Sequence, residues 1–282
     1  MMKRWHLFAG LVTAAALLAG CATLDEKQRA WIFQPGDRAW GGTARLAEGM
    51  EDVWIRFDSR LSGDPVTLHG LWLPADRPAA GQPVLLYLHG ARWNVTGSAP
   101  RIRRMQELGF SVLAIDYRGF GKSTATLPSE ELAGEDARAA WDWLAARYPG
   151  SPRYIFGHSL GGALAITLAA QVDDESGTLV EGTFTSIPDV ASTMKWGWLP
   201  LGPLITQRFE SVRKVAQIGS PLLVVHGEQD TLIRPELGRQ LFEAAREPKA
   251  FVLVPGGSHF NTNAVGQQQY RVALSSLFRL TP

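Results

Sequence analysis

The chain has 282 residues, of which 45% are hydrophobic and 20% charged, with 29 Gly, 17 Pro and 10 Trp. This composition is that of a globular protein and excludes collagenous, low-complexity and disordered classes. The 28 Lys and Arg residues nearly balance the 27 Asp and Glu residues, and the net charge of +1 gives no reason to expect a nucleic-acid partner. The single cysteine excludes an intrachain disulfide and disfavours a zinc site.

The N-terminus has the pattern of a secretory signal. Lys3 and Arg4 precede an apolar run over residues 7–19. A helix that crosses a bilayer needs about 20 apolar residues, so this run is too short to span one. Two small residues then precede Cys21, the only cysteine in the chain. We predict a signal peptide over residues 1–20; the alternative is a cytosolic helix with a buried cysteine.

The letters L-A-G-C at 18–21 resemble the bacterial lipobox. The resemblance implies that the mature chain starts at Cys21, which carries two or three acyl chains, and that these anchor it in the bacterial cell envelope. Ala22, where an Asp favours inner-membrane retention, favours the outer membrane, with the protein facing the periplasm. Residues 22–30 are expected to be a tether that spans at most about 30 Å.

Beyond the docking segment predicted within residues 21–50, strand and helix patterns alternate in one domain over residues 51–282. Two stretches of alternating polarity predict antiparallel edge strands, and short unbroken apolar runs predict parallel strands buried on both faces. Helical spacing recurs between them. We therefore predict an α/β fold with one doubly wound, mostly parallel sheet. The predicted strands are 53–57, 66–73, 84–88, 112–115, 154–156, 177–185, 222–225 and 251–254, and the helical stretches are 132–144, 160–168 and 237–245.

Residues 187–220 form a connection that is longer than a simple crossover. We expect a small cap here, over the carboxyl edge of the sheet. Trp196, Trp198, Leu199 and Leu201 are expected near the mouth of a site at this edge. Two interpretations of these side chains stay open: they line an acyl groove or touch lipid, or they pack against the sheet edge.

The peptide Gly157-His158-Ser159-Leu160-Gly161 matches the G-x-S-x-G pattern of a nucleophile elbow. A predicted strand leads into it and a predicted helix leaves it, which is the placement that exposes a serine hydroxyl. The start of that helix presents backbone N–H groups and a positive dipole end to an oxyanion at Ser159.

A serine nucleophile needs a base, and the base needs an orienting acid. Of the six histidines, His259 alone follows the last strand on a loop before the final helix. The chain order serine, acid, histidine places the acid between Ser159 and His259 in the sequence. Asp230 follows the strand at 222–225 and is the preferred candidate; Glu228 and Asp189 are the alternatives.

Two further groups of residues, within 116–123, are interpreted as structural rather than functional. Asp116 and Arg118 are predicted to form an ion pair that supports their loop. Gly121-Lys122-Ser123 looks like the end of a phosphate-binding loop, but Asp116 stands where that pattern needs Gly, so no nucleotide site is predicted.

Together these motifs resemble the α/β-hydrolase superfamily over roughly residues 31–277. The nearest group is the small-cap, membrane-linked abhydrolase and monoglyceride-lipase-like branch, also labelled serine aminopeptidase-like. The motifs that carry the resemblance are L-Y-L-H-G at 86–90, D-Y-R-G-F-G-K-S at 116–123, G-H-S-L-G-G at 157–162, H-G-E-Q-D at 226–230 and G-S-H at 257–259.

The resemblance implies Ser159 as nucleophile, Asp230 as acid and His259 as base, with an oxyanion hole from the N–H groups of Ala91 and Leu160. Where many esterases have a Gly-rich loop after His-Gly, this chain has Ala91-Arg92-Trp93. The expected activity is cofactor-independent, metal-free hydrolysis of a small acyl-ester or lipid-like substrate. An aminopeptidase acting on short peptides and a non-catalytic scaffold lipoprotein are the alternatives.

Overall fold

The computed structural model describes residues 20–39, 42–76, 81–195, 197–200 and 202–280. The apolar run of the predicted signal peptide, Trp196 and Leu201 lie outside these ranges. Eight strands form one sheet in the order β1-β2-β4-β3-β5-β6-β7-β8. The strands are β1 (Glu51–Asp58), β2 (Pro65–Leu73), β3 (Val84–Leu88), β4 (Ser111–Ile115), β5 (Arg153–His158), β6 (Gly177–Glu181), β7 (Leu222–Gly227) and β8 (Lys249–Val254).

The sheet is parallel from β4 to β8, and β2 pairs antiparallel with both β1 and β4. This confirms the predicted fold class. The unbroken apolar runs of β3 and β4 are buried at every position because helices cover both faces of the sheet.

Two strand predictions need correction. Strand β2 is not an edge strand, because it lies between β1 and β4 and is buried over Leu68 to Leu73. Strand β6 ends at Glu181 rather than at residue 185, because Gly182 turns the chain with a φ of 57°.

Helices cover the sheet on both faces. Apolar side chains of α4, α5 and α8 belong to one buried cluster, and those of α3 and α10 belong to a second. The helices are α1 (20–33), α2 (Thr43–Leu46), α3 (Ala99–Glu107), α4 (Glu130–Arg147), α5 (Leu160–Ala169), α6 (Ile187–Thr193), α7 (Ser211–Lys214), α8 (Pro235–Ala244), α9 (Thr262–Val265) and α10 (Gln267–Phe278).

The predicted tether is wrong, because residues 22–30 lie within α1 and are held on the body. Gln28 Nε2 donates to the Leu204 carbonyl at 2.7 Å, and Arg29 Nε donates to the Pro128 carbonyl at 2.9 Å. At the end of α1, Phe33 is fully buried. A helix rises 1.5 Å per residue, so Cys21 lies only about 18 Å along the axis from Phe33. In the part of the chain that the structure describes, no helix is long and apolar enough to cross a membrane.

Candidate active site

Ser159 occupies the sharp turn between β5 and α5. Its backbone has φ 56° and ψ −121°, a strained conformation that residues other than glycine rarely adopt. A Cβ at Gly157 would collide with the Gly161 carbonyl, and one at Gly161 would collide with the Leu88 carbonyl. The glycines of the G-x-S-x-G peptide are therefore required by the close approach of backbone on both sides of Ser159.

The loops after β5, β7 and β8 bring Ser159, Asp230 and His259 together at the carboxyl edge of the sheet. The Ser159 Oγ lies 3.0 Å from His259 Nε2, and His259 Nδ1 lies 2.8 Å from Asp230 Oδ2. Both distances are within hydrogen-bonding range. Asp230 and His259 are 4% and 5% exposed, so the chain of hydrogen bonds is shielded from bulk water.

The Asp230 carboxylate is held in place by further donors. Its Oδ1 accepts hydrogen bonds from the amides of Leu232 at 3.0 Å and Ile233 at 2.8 Å. Burial opposes the charged form, but hydrogen bonds from His226 and His259 outweigh it, and the pKa of Asp230 is held well below its ordinary value. The group beside His259 is therefore a carboxylate at neutral pH.

The two alternative acids lie elsewhere. Asp189 Oδ2 accepts hydrogen bonds of 2.6 Å from the hydroxyls of Thr185 and Ser186, at the start of α6. Glu228 is exposed on the turn after β7. Of the three candidate acids, Asp230 is the one that the structure places against His259.

Ala91 and Leu160, the two residues expected to form the oxyanion hole, lie near Ser159. Helix α5 begins at Leu160, so the Leu160 N–H has no acceptor within its own helix. A Cβ at Gly90 would lie 3.2 Å from the Ser159 Cβ, which shows that the Gly90-Ala91 backbone runs against the serine. Ala91 and Leu160 both line the cavity in front of Ser159.

Arg101 connects several parts of the site and was not identified from the sequence. Its Nη2 donates to the His259 carbonyl at 3.3 Å and to the Phe260 carbonyl at 3.2 Å. Its Nε donates to the fully buried Glu181 at 2.9 Å. The sequence signals are an arginine on the apolar face of α3 and a carboxylate that ends a buried strand.

His158, the residue before the serine, is also part of this network. Its Nε2 lies 3.1 Å from Arg101 Nη2. Burial and the nearby positive charge of Arg101 hold the pKa of His158 well below its usual value. His158 is therefore a neutral side chain next to His259 rather than a second base.

The predicted ion pair between Asp116 and Arg118 does not form. Arg118 instead binds Glu135 and Asp136, at 2.6 and 2.8 Å. Asp116 lies 3.3 Å from His69 Nδ1. The two side chains leave the loop in different directions, that of Arg118 towards α4 and that of Asp116 towards the middle of β2.

The Ser159 cavity is the cavity of about 220 Å³ that opens in front of the serine. Its walls are mainly apolar and come from α1, from α6 and from the loop after β7. The apolar and aromatic lining residues are Trp31, Ile32, Tyr87, Ala91, Trp93, Leu160, Phe184, Ile187, Val190, Met194, Leu232, Ile233 and Phe260. Trp198 and Leu199 are not among the described lining residues, and Trp198 is 74% exposed, so it does not pack against the sheet edge. Within the described ranges, no group of three His, Cys, Asp or Glu side chains is arranged to hold a metal ion.

The doubly wound sheet, with a serine on the β5–α5 turn and a histidine after the last strand, defines the class as α/β hydrolase. A family model described as serine aminopeptidase, S33, matches residues 80–210. The protein Rv2307c of Mycobacterium tuberculosis is 35% identical over 261 residues, covering 92% of this chain and 90% of the relative. The chain therefore belongs to the α/β-hydrolase superfamily, as a serine-hydrolase-like member of the family that includes this mycobacterial protein.

Two further similarities are more limited. The lysophosphatidylserine lipase ABHD12 of Rattus norvegicus is 31% identical over 195 residues, which cover 62% of this chain and 48% of that protein. The esterase Pf2001 of Pyrococcus furiosus has a TM-score of 0.69 over 88% of this chain and 98% of its own, at 22% identity. At that identity the second similarity shows the fold alone.

Proposed function

We propose that the protein is a lipid-anchored serine hydrolase that cleaves carboxylic esters through an acyl-enzyme. The observation that carries this proposal is the continuous chain of hydrogen bonds from the Ser159 hydroxyl through His259 to the Asp230 carboxylate. A serine hydroxyl is a weak nucleophile by itself, and a histidine held by a carboxylate activates it.

Acylation follows from the positions of these groups. The Ser159 Oγ attacks the ester carbonyl carbon while its proton passes to His259 Nε2, and Asp230 stabilises the resulting imidazolium. The N–H groups of Leu160 and Ala91 stabilise the oxyanion of the tetrahedral intermediate. The bond to the leaving alkoxide then breaks, and His259 Nε2 protonates the alkoxide to give the alcohol.

Deacylation repeats the sequence with water as the nucleophile. His259 accepts a proton from the water as it attacks the acyl-enzyme carbonyl, and it returns this proton to Ser159 Oγ when the C–O bond breaks. The products are a carboxylic acid and the restored serine.

The lining of the Ser159 cavity favours esters over peptides with a free amino terminus. An aminopeptidase needs an acidic group to bind the substrate ammonium, yet none of the described residues that line the cavity is Asp or Glu. Glu210, one of the two acids in the 187–220 segment, instead forms ion pairs of 2.8 Å with Arg208 and Arg213. An apolar wall gains about 0.8 kcal/mol for each CH₂ group it buries, whereas an unpaired charge there would cost several kcal/mol.

The membrane anchor is the second part of the proposal. Cys21 is exposed near the start of the described part of α1, and the same helix contributes Trp31 and Ile32 to the Ser159 cavity. Acyl chains on Cys21 would hold this cavity close to the membrane surface, where lipid-like esters are concentrated. The partial relative named a lysophosphatidylserine lipase supports an ester of this kind.

A matched series of p-nitrophenyl esters and aminoacyl p-nitroanilides tests the proposal with the mature protein. We expect kcat/KM to rise from acetate to butyrate or longer, then to fall where the cavity limits the acyl chain, and to be lower for every aminoacyl amide. Preference for an aminoacyl amide over all the esters would establish the aminopeptidase alternative. Absence of turnover and of fluorophosphonate labelling would indicate the scaffold alternative.

A further inference from the structure

A second pocket opens beside the Ser159 cavity. It has a volume of about 420 Å³, and we call it the arginine pocket; its lining residues are Ala30, Gln34, Pro35, Arg38, Arg92 and Trp93. Gln34, Arg92 and Trp93 also line the Ser159 cavity. A molecule whose ester carbonyl lies at Ser159 can therefore extend its other end into the arginine pocket.

Hydrogen bonds fix the two segments that form this pocket. The Arg92 amide donates to the Phe33 carbonyl at 3.0 Å, and the Asn94 amide donates to the Arg38 carbonyl at 2.9 Å. The Asn94 side chain also donates to Asp37 Oδ1 at 2.8 Å. The pocket is thus a defined feature of the fold, where the chain after α1 crosses the loop after β3.

The charge of the arginine pocket is positive. Arg38 and Arg92 supply two guanidinium groups, and among the lining residues that the structure describes there is no Asp or Glu. Across the described ranges, neither arginine forms an ion pair with a carboxylate. The nearby carboxylate of Asp37 is bonded to Asn94 and does not line the pocket.

Arg92 has a backbone conformation that favours glycine. Its φ is 81°, in the left-handed region that residues with a side chain rarely adopt. Such strained residues cluster at ligand-binding sites and active sites, where the surrounding structure holds them in place. Arg92, which lines both cavities, therefore occupies a backbone position that glycine would adopt without strain.

We propose that the arginine pocket binds the phosphate group of the ester's leaving group, so that the preferred substrates are acyl esters of phosphorylated alcohols. This inference rests on the proposed esterase function and narrows its substrate class. Guanidinium groups bind phosphate oxygens through paired, charge-assisted hydrogen bonds. The arginine pocket shares three lining residues with the Ser159 cavity, so it can take the leaving-group end of an ester bound at Ser159.

Kinetics with matched substrates test the proposal. A monoacylglycerol and the corresponding lysophosphatidic acid, with the same short acyl chain, differ only in the phosphate. We expect the wild type to prefer the phosphorylated ester by about tenfold in kcat/KM. The double variant Arg38→Gln/Arg92→Gln should lose this preference, mainly through a higher KM for the phosphorylated ester, so that its kcat/KM values for the two esters become similar. Arg138→Gln, an exposed arginine on α4 that lines neither cavity, is the control and should change neither substrate.

Equilibrium binding separates this inference from the esterase proposal. Titration of glycerol phosphate into the Ser159→Ala protein measures the affinity of the arginine pocket without turnover. We expect about tenfold weaker binding when the two arginine substitutions are added to this protein. Inorganic phosphate as a second probe distinguishes the sources: weaker binding than glycerol phosphate supports a phosphorylated leaving group, whereas equal or tighter binding indicates a site for free phosphate and overturns the substrate assignment. Unchanged glycerol phosphate binding in the double variant would overturn the pocket itself, whatever the esterase assays show.

Arg92→Gly guards against a result caused by misfolding. Glycine relieves the positive φ, so this variant should unfold at an equal or higher denaturant concentration while it loses glycerol phosphate affinity. Retention of wild-type affinity in this variant would exclude Arg92 as a phosphate ligand and would contradict the proposal.

Discussion

Arg101 and Glu181 form an ion pair directly behind the loop that carries His259, with 2.9 Å between Nε and Oε1. Glu181 is fully buried and also accepts a hydrogen bond of 2.5 Å from the Tyr270 hydroxyl. The same guanidinium binds the His259 and Phe260 carbonyls. The pair therefore links the carboxyl end of β6 to the backbone carbonyls of His259 and Phe260.

Substitution of Arg101 should affect stability and catalysis together. Arg101→Leu leaves the Glu181 carboxylate buried and unpaired, and we expect a loss of about 3–5 kcal/mol in the free energy of unfolding. Arg101→Lys keeps the charge but loses the planar fork that binds the two carbonyls, so kcat should fall by about tenfold with a smaller loss of stability. Urea unfolding and ester kinetics measure the two effects. If the Lys variant keeps full kcat, Arg101 is a structural residue alone.

The identity of the acid is tested by a pair of asparagine variants. Asp230→Asn removes the carboxylate that orients His259 and should lower kcat by about 10⁴-fold. Asp189→Asn alters only the hydrogen bonds at the start of α6, so ester turnover should change by less than about threefold. Parallel kinetics on the two purified variants decide the matter, and the opposite ranking would move the acid to Asp189.

Asp230 should also shape the dependence of stability on pH. Its folded-state pKa lies below the ordinary value, so the unfolded chain takes up this proton first as the pH falls. The contribution of Asp230 is complete above about pH 4 and is lost as the pH falls towards the folded-state pKa. We expect the free energy of unfolding of the wild type to decline more steeply below pH 4 than that of Asp230→Asn. Urea titrations at stepped pH measure this free energy for both proteins. If it declined equally steeply below pH 4 in the two proteins, the lowered pKa of Asp230 would be contradicted.

The strands of the sheet were predictable because each is a local pattern. Strand β3 has the predicted bounds, since its apolar run begins after Pro83 and ends before His89. Helix α4 begins two residues before the predicted start because Ser129 caps it, accepting a hydrogen bond from the Leu132 amide. Patterns within about ten residues therefore determine most of the fold.

Features that depend on distant partners were not predictable. Helix α1 was expected to be a tether because the groups that hold it, such as Pro128 and Leu204, lie about 100 or more residues away along the chain. The Arg101–Glu181 pair joins residues 80 positions apart, and a single sequence marks each residue as unusual in its element without showing that the two pair. For the site, the sequence indicated the turn at Ser159 and the order of the acid and the histidine along the chain. It did not indicate the hydrogen-bond network of Arg101 behind them.

The anchor is tested by Cys21→Ala. If Cys21 is acylated after cleavage of the signal peptide, the wild type should fractionate with membranes and its mature N-terminus should show the mass of the acyl chains. The Ala variant should lose that mass and should be either unprocessed or released. Intact mass spectrometry and membrane fractionation measure both properties. A wild-type N-terminus without added mass would contradict the lipidation.

The most direct test of the central claim is acylation of Ser159 itself. The purified wild type and the Ser159→Ala and Ser192→Ala variants are mixed with p-nitrophenyl butyrate, and both the release of p-nitrophenol and the acyl adduct on the protein are measured. Ser192 is exposed on α6 and does not line the Ser159 cavity, so its variant should behave as the wild type. We expect Ser159→Ala to lose about 10⁴-fold or more in kcat and to carry no adduct, while its thermal unfolding shows an intact fold. More than a tenth of wild-type turnover in Ser159→Ala, or an adduct on another residue of the wild type, would contradict the assignment of Ser159 as the nucleophile.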